Sequence, residues 1–130
     1  MAEATYPEEL RYHAEHDWAR IEGEEATFGI TWYAQNSLGE VVFYDPPEVG
    51  ATVSKDSSYA DVESVKAVSG VVAPMSGEVT AVNEALTAAP ETINRDPYGE
   101  GWLIRVRLTA PEESEALLAA DEYRRLLEAE

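Results

Sequence analysis

The chain has 130 residues, 26 of them acidic and nine basic, for a net charge of −17, and it contains no cysteine. That charge repels phosphate, which argues against nucleic-acid and anionic-membrane partners and favours steered encounters with partners that show a basic face. Without thiols there are no disulfides, thiolate metal sites or cysteine nucleophiles, so any redox chemistry must take its sulfur from a cofactor. The length fits one domain, residues 1–130, with one modest core to which three tryptophans and seven tyrosines bring large apolar area. Met1 to Glu9 lacks the basic flank and apolar run of a signal peptide, and no apolar stretch reaches the ~20 residues that span a bilayer. A cytoplasmic location is the expectation.

In chain order, Leu10 to Tyr12 and Trp18 to Glu22 read as short strands. The turn Glu22-Gly23-Glu24 leads into Ala26 to Ile30, where Ala26, Phe28 and Ile30 alternate toward one face. Thr31 stands where an N-cap would open a helix from Trp32 to Leu38, and Gly39 where a C′ glycine would end it. Glu40 to Tyr44 is a half-buried strand, stopped by Asp45-Pro46-Pro47. After Gly50, strands are expected around Ala51 to Val53 and Tyr59 to Val65. Lys66 then sits at a hairpin tip (residues 63–67), and Ala67 to Ala73 returns the chain to Pro74.

Ser76-Gly77 turns into a strand from Glu78 to Val82. The stretch from Asn83 to Gly101 carries Pro90, Pro97, Gly99 and Gly101 and reads as a surface loop. Trp102, Ile104, Val106 and Leu108 alternate inward against Arg105 and Arg107. Pro111 opens a last helix over about residues 111–128, with Leu117, Ala120, Tyr123 and Leu127 as its apolar stripe. Gly39-Glu40-Val41 recurs as Gly77-Glu78-Val79 on either side of Lys66, a short match, weak alone, that fits two similar β-halves meeting at that hairpin. The fold class expected is mainly β, a flattened barrel-like sandwich with a short helix and a C-terminal helix added.

Lys55 and Lys66 are the only lysines; the other seven basic residues are arginines. Lysine, unlike arginine, can lose its proton and be acylated. A lysine at a β-turn is ordinarily a solvated charge, and Glu63 can serve as its screened ion partner. Schiff-base chemistry wants a desolvated lysine, whereas a tip lysine beside Asp61 and Glu63 is wet. His13 and His16 are the only histidines and lack a third ligand, so no metal site is expected.

Glu63-Ser64-Val65-Lys66-Ala67 resembles the lipoylation site of glycine cleavage H proteins. His16-Asp17-Trp18, Gly29-Ile30-Thr31, Ala34-Gln35 and Leu38-Gly39-Glu40-Val41-Val42-Phe43 are similar to that family, as are Pro74-Met75-Ser76-Gly77-Glu78-Val79, Asn94, Pro97-Tyr98, Gly101-Trp102-Leu103 and Glu122-Tyr123. Each motif is weak by itself; the ordered set covers nearly the whole chain. Biotin carriers flank their lysine with methionines, and the lipoyl domains of 2-oxoacid dehydrogenases are shorter and place an aspartate before it; here the neighbours are Val65 and Ala67.

The resemblance implies a barrel-sandwich hybrid of the lipoyl/biotinyl-carrier type that bears lipoate in amide linkage on Lys66 and is not itself an enzyme. It implies glycine decarboxylase, a pyridoxal-phosphate enzyme, as the source of the aminomethyl group, aminomethyltransferase as its acceptor, and dihydrolipoyl dehydrogenase as the reoxidant. Lipoylating enzymes are implied as well. Relatives tuck the loaded arm against the protein, and the resemblance nominates Asp17 first and Glu15 second to hold its ammonium. Many relatives carry an acidic residue where Gly70 stands, so a contact from that position is missing here. A monomer is expected, because successive partners must reach one hairpin tip. A lipoyl-relay role, another lipoyl or biotinyl carrier, and an unmodified adaptor module are the alternatives.

Overall fold

A computed structural model describes residues 5–129; the first four residues of the acidic N-terminal segment and Glu130 lie outside the described residues. Two antiparallel sheets make up the molecule. The larger contains β1 (Arg11–His13), β2 (Asp17–Glu22), β3 (Glu25–Ile30), β5 (Thr52–Val53), β8 (Gly77–Val82) and β9 (Ile104–Leu108), in the order β1-β2-β3-β9-β8-β5. The smaller contains β4 (Val41–Asp45), β6 (Ser58–Ser64) and β7 (Val68–Val72), in the order β4-β6-β7.

The main core lies between the sheets and takes Phe28, Ile30, Val62, Met75, Val79, Ile104 and Val106, all almost fully buried. A second cluster of Leu10, Tyr12, Trp18, Tyr98, Ala120 and Tyr123 covers the other face of the larger sheet. Strand β3 is therefore buried on both faces. The predicted alternation holds for Ala26, Phe28 and Ile30, while Thr27 and Gly29 face away from them and are buried too.

Helix α1 spans Trp32–Leu38 as predicted, because both of its ends are chemically fixed. The Thr31 hydroxyl accepts from the Ala34 N–H at 3.2 Å, and the Gly39 N–H returns to the Gln35 carbonyl at 3.0 Å. Gly39 has φ +90°, a backbone region that only glycine enters without strain.

Two elements differ from the sequence-based expectation. The segment from Asn83 to Gly101 is wound into two short helical turns, α2 (Ala85–Ala88) and α3 (Thr92–Arg95), and is fastened by side chains. Asn83 donates to the carbonyls of Glu100 and Trp102, each at 2.8 Å. The C-terminal helix is broken in two, a 3₁₀ turn over Pro111–Ala116 and α4 over Ala120–Ala129. Leu117 is extended (φ −85°, ψ 159°), and Leu118 exchanges both backbone hydrogen bonds with Tyr12 at 2.7 and 2.8 Å. Pairing with β1 takes the chain out of helix there, which lets Leu117 enter the main core while Ala120 and Tyr123 pack on the second cluster.

Candidate functional site

The β6–β7 hairpin carries Lys66 at its tip, and Ser64 closes that tip. The Ser64 backbone N–H donates to the Ala67 carbonyl at 2.8 Å. Its buried hydroxyl accepts from the backbone N–H groups of Lys66 and Ala67, each at 3.2 Å. A short side chain turned back on its own loop fixes a turn in this way. Lys66 and its neighbours Val65 and Ala67 are exposed. Glu63 lies on β6 one step before Ser64, and no ion pair joins it to Lys66 among the described residues. Instead the Lys66 stem lies over Gly39 at the end of α1: a Cβ built there would stand 3.5 Å from Cε and 3.9 Å from Nζ.

A cleft of about 370 Å³ opens beside the hairpin, between α1 and the start of β7. Tyr33, Ala34 and Ser37 present one flank of α1 to it, Leu38 and Val68 give it apolar wall, and Glu15 supplies a carboxylate. His16, also in the wall, has φ +76° and holds Tyr123 Oη at 2.8 Å through Nδ1. Tyr123 in turn meets Thr31 Oγ1 at 2.7 Å. One phenol from α4 thus ties the cleft wall to the N-cap of α1.

The C-terminal end of α1 is held from the opposite side by Asn94. Its amide donates to Gln35 Oε1 at 3.0 Å and to the Gly39 carbonyl at 2.9 Å, and its oxygen accepts from the Val41 N–H at 2.8 Å. Trp18 anchors the same loop by donating from its indole to the Pro97 carbonyl at 3.0 Å. Tyr98 Oη accepts from the Trp32 N–H at 2.9 Å. Most of the scattered motifs quoted above therefore converge on one task, fixing α1 and the glycine beneath Lys66.

The sequence nominated Asp17 and Glu15, and the structure treats them differently. Glu15 is exposed and lines the cleft. Asp17 is 2 % exposed, does not line it, and has Oδ2 without a hydrogen-bond partner. Burial, reinforced by the charge of Glu15, pushes the Asp17 carboxyl well above the usual carboxylate range, against a backbone hydrogen bond from Val72. Gly70 pairs with Asp61 across the hairpin, and a Cβ there would meet Ser58 Oγ at 2.9 Å. Tyr33 and Ser37 were not singled out from the sequence; their i, i+4 spacing on α1 was the signal that they share a flank.

The raised pKa of Asp17 makes stability depend on pH. A group neutral in the fold and acidic in the unfolded chain contributes stability below its unfolded pKa and loses it as pH rises through the folded pKa. Asp17→Asn removes that dependence. Urea unfolding should find the variant closest to the parent near pH 4 and increasingly more stable than it toward pH 8, where the parent must bury the ionised carboxylate or keep it protonated. An unchanged difference between the two proteins from pH 4 to pH 8 counts against a neutral Asp17.

Residues 10–130 match the Glycine cleavage H-protein family. A glycine cleavage system H protein of Rubrobacter xylanophilus is 54 % identical over 127 residues, covering 98 % of each chain. One from Bacillus cereus is 48 % identical over 119 residues, 92 % of this chain and 94 % of its own. Among solved structures, a glycine cleavage system H protein from Mycobacterium marinum superimposes with a TM-score of 0.87 at 42 % identity, covering 95 % of this chain and 99 % of that one. Together with the barrel-sandwich architecture and the Lys66 hairpin, these matches place the chain in the glycine cleavage H-protein family.

Proposed function

We propose that this protein is the lipoyl-bearing carrier of a glycine cleavage system, with lipoate in amide linkage to Lys66. The observation that carries the reading is an exposed lysine on a side-chain-locked hairpin tip, in a chain that matches the H-protein family almost end to end. The residues fit the group. A modifying enzyme has open access to Lys66, and an adjoining cleft joins apolar wall from Leu38 and Val68 to the carboxylate of Glu15. When bound, the dithiolane supplies the sulfur that accepts the aminomethyl group of decarboxylated glycine, in a chain with no sulfur nucleophile of its own.

This chain's share of the work is placement. Ser64 fixes the tip, Gly39 leaves room for the lysine stem, and Glu15 stands ready to pair with a cationic cargo in the cleft. Asp17, the other nominated contact, is buried beside His16 of the cleft wall, so Glu15 is the acid open to the arm. The enzymes served are glycine decarboxylase, aminomethyltransferase and dihydrolipoyl dehydrogenase, with the chain a monomeric, cytoplasmic and non-catalytic shuttle among them. A relay role, passing lipoate to other proteins, uses the same lysine; activity with glycine decarboxylase separates the two.

Intact mass spectrometry of the chain purified from a lipoate-sufficient host, with peptide mapping of residues 63–69, tests the proposal. One lipoyl increment on Lys66 is expected. An unmodified Lys66 after incubation with lipoate ligase, ATP and lipoate sinks it.

A further inference from the structure

Among the described residues, five large apolar side chains are exposed, and four of them, Val42, Phe43, Val65 and Val68, gather at the Lys66 end of the smaller sheet. The register shows why. Phe43 stands opposite Glu63, and Glu63 opposite Val68, so the three form one row across β4, β6 and β7 on the outer face. Inner-face neighbours Tyr44, Val62 and Ser64 are buried, as alternation requires. A bulge between Val41 and Phe43 puts Val42 outward as well. β4 and β7 are the two edges of this sheet, where bare apolar side chains invite aggregation and are ordinarily avoided. Phe43 at 50 % exposure and Val65 at 81 % contribute little to the fold, which points to a partner.

We propose that this row is the docking surface for the enzyme that acylates Lys66, a partner offering an apolar contact ringed by basic side chains. The inference rests on the carrier reading. Reach decides among the partners. A protein that works on the far end of a lipoyl arm meets it an arm's length from the hairpin. Acylation differs, because the activated donor must come to Nζ itself. There the deprotonated amine attacks the carbonyl carbon of a lipoyl adenylate, the C–N bond forms, the acyl–phosphate bond breaks, and AMP leaves. An enzyme closed around Nζ must cover the residues beside the tip. Charge selects the partner's sign: Glu63 sits within the row, the Asp61–Asp45 pair lies beside it, and the chain is at net −17, so basic side chains are favoured opposite. Val65 and Phe43 provide the desolvated centre that anchors such contacts.

The test uses Phe43→Ser and Val42→Ser, both outside the cleft and the lipoylation motif, with circular dichroism melts as the folding control. Lipoylation of the apo chain by lipoate ligase, ATP and lipoate is followed by intact mass. Phe43→Ser should lower kcat/KM for lipoylation by about tenfold or more, mostly through KM, and Val42→Ser should lower it less. Variants driven to full lipoylation by long incubation should then support reduction by dihydrolipoyl dehydrogenase within about twofold of the parent. Lipoylation of Phe43→Ser at the parental rate overturns the docking surface while leaving the carrier reading intact. Equal losses in both assays overturn its selectivity. A parent chain that is never acylated sinks the carrier reading, and this inference with it.

Discussion

Lys66→Arg is expected to reduce lipoylation to zero and glycine-dependent reduction of dihydrolipoyl dehydrogenase to background, while Lys55→Arg leaves both at the parental level. Arginine keeps the charge and most of the length of lysine but cannot be acylated, so the substitution removes chemistry and little else. The hairpin does not depend on the lysine side chain, since Ser64 makes the bonds that close it and both use backbone groups of the tip. Melting temperature should therefore be unchanged. Lys55 is the internal control. It is half-buried, its Nζ meets Asp56 at 3.2 Å, and its backbone N–H donates to Ser76 Oγ at 3.0 Å, which leaves it in the turn before β6, at the opposite end of that strand from the tip. Intact mass before and after incubation with ligase reads the first effect, and NADH formation with the other glycine cleavage components reads the second. A lipoyl increment that survives in Lys66→Arg, or one that disappears in Lys55→Arg, moves the attachment site and undoes the account of the tip.

The strands were legible because their patterns are local. Val106 between Arg105 and Arg107 states its own face, and Thr31 and Gly39 bracket a helix in the sequence itself. Lys66 was legible through its motif, with the hairpin placed by the alternation on either side. The route of the C-terminal segment was not legible. Pro111 with two following glutamates signals a helix start, yet the decisive event is a bridge from Leu118 to Tyr12, more than a hundred residues away, which periodicity does not report. The cleft was hidden for the same reason. Tyr33, Ser37 and Leu38 carry no chemical signature on α1 until β7 lies alongside them. The division of labour between Asp17 and Glu15 was equally invisible: the two are neighbours in sequence, but the first enters β2 and is buried while the second stays on the turn. Pro97 looked like loop punctuation and Asn94 was one matched residue among many, and only their partners, Trp18 and Gly39, reveal them as struts of the lysine platform.

Gly29→Ala should be among the most damaging single substitutions outside the tip, although it adds only one methyl group, because there is no space for it at this point. Gly29 pairs directly with Trp18 across β2 and β3, and the indole lies over it. A Cβ at position 29 would stand 2.5 to 2.7 Å from Cζ2, Cε2 and Nε1 of that ring, closer than real contacts allow. The ring cannot yield cheaply. It is fully buried in the cluster beneath α4, and its Nε1 is bonded to the Pro97 carbonyl, so moving it costs packing and a buried hydrogen bond together. Overpacking of this kind costs about 1–3 kcal/mol, and the lost bond should place the effect at or above the top of that range. Trp18→Ala, by truncation, costs about 3–5 kcal/mol. The two should not add. With Trp18→Leu in the background there is no ring to strike, and Gly29→Ala becomes nearly neutral or favourable in a strand, so the double-mutant cycle should show a coupling of at least about 1 kcal/mol. Because the same indole holds the loop that carries Asn94, Gly29→Ala should also loosen the Gly39 platform, seen as faster amide hydrogen exchange at Gly39 and Val41 than at Val106 in the core. Additive energies, or exchange that quickens equally at all three amides, would show that Trp18 acts only on global stability and not on the lysine platform.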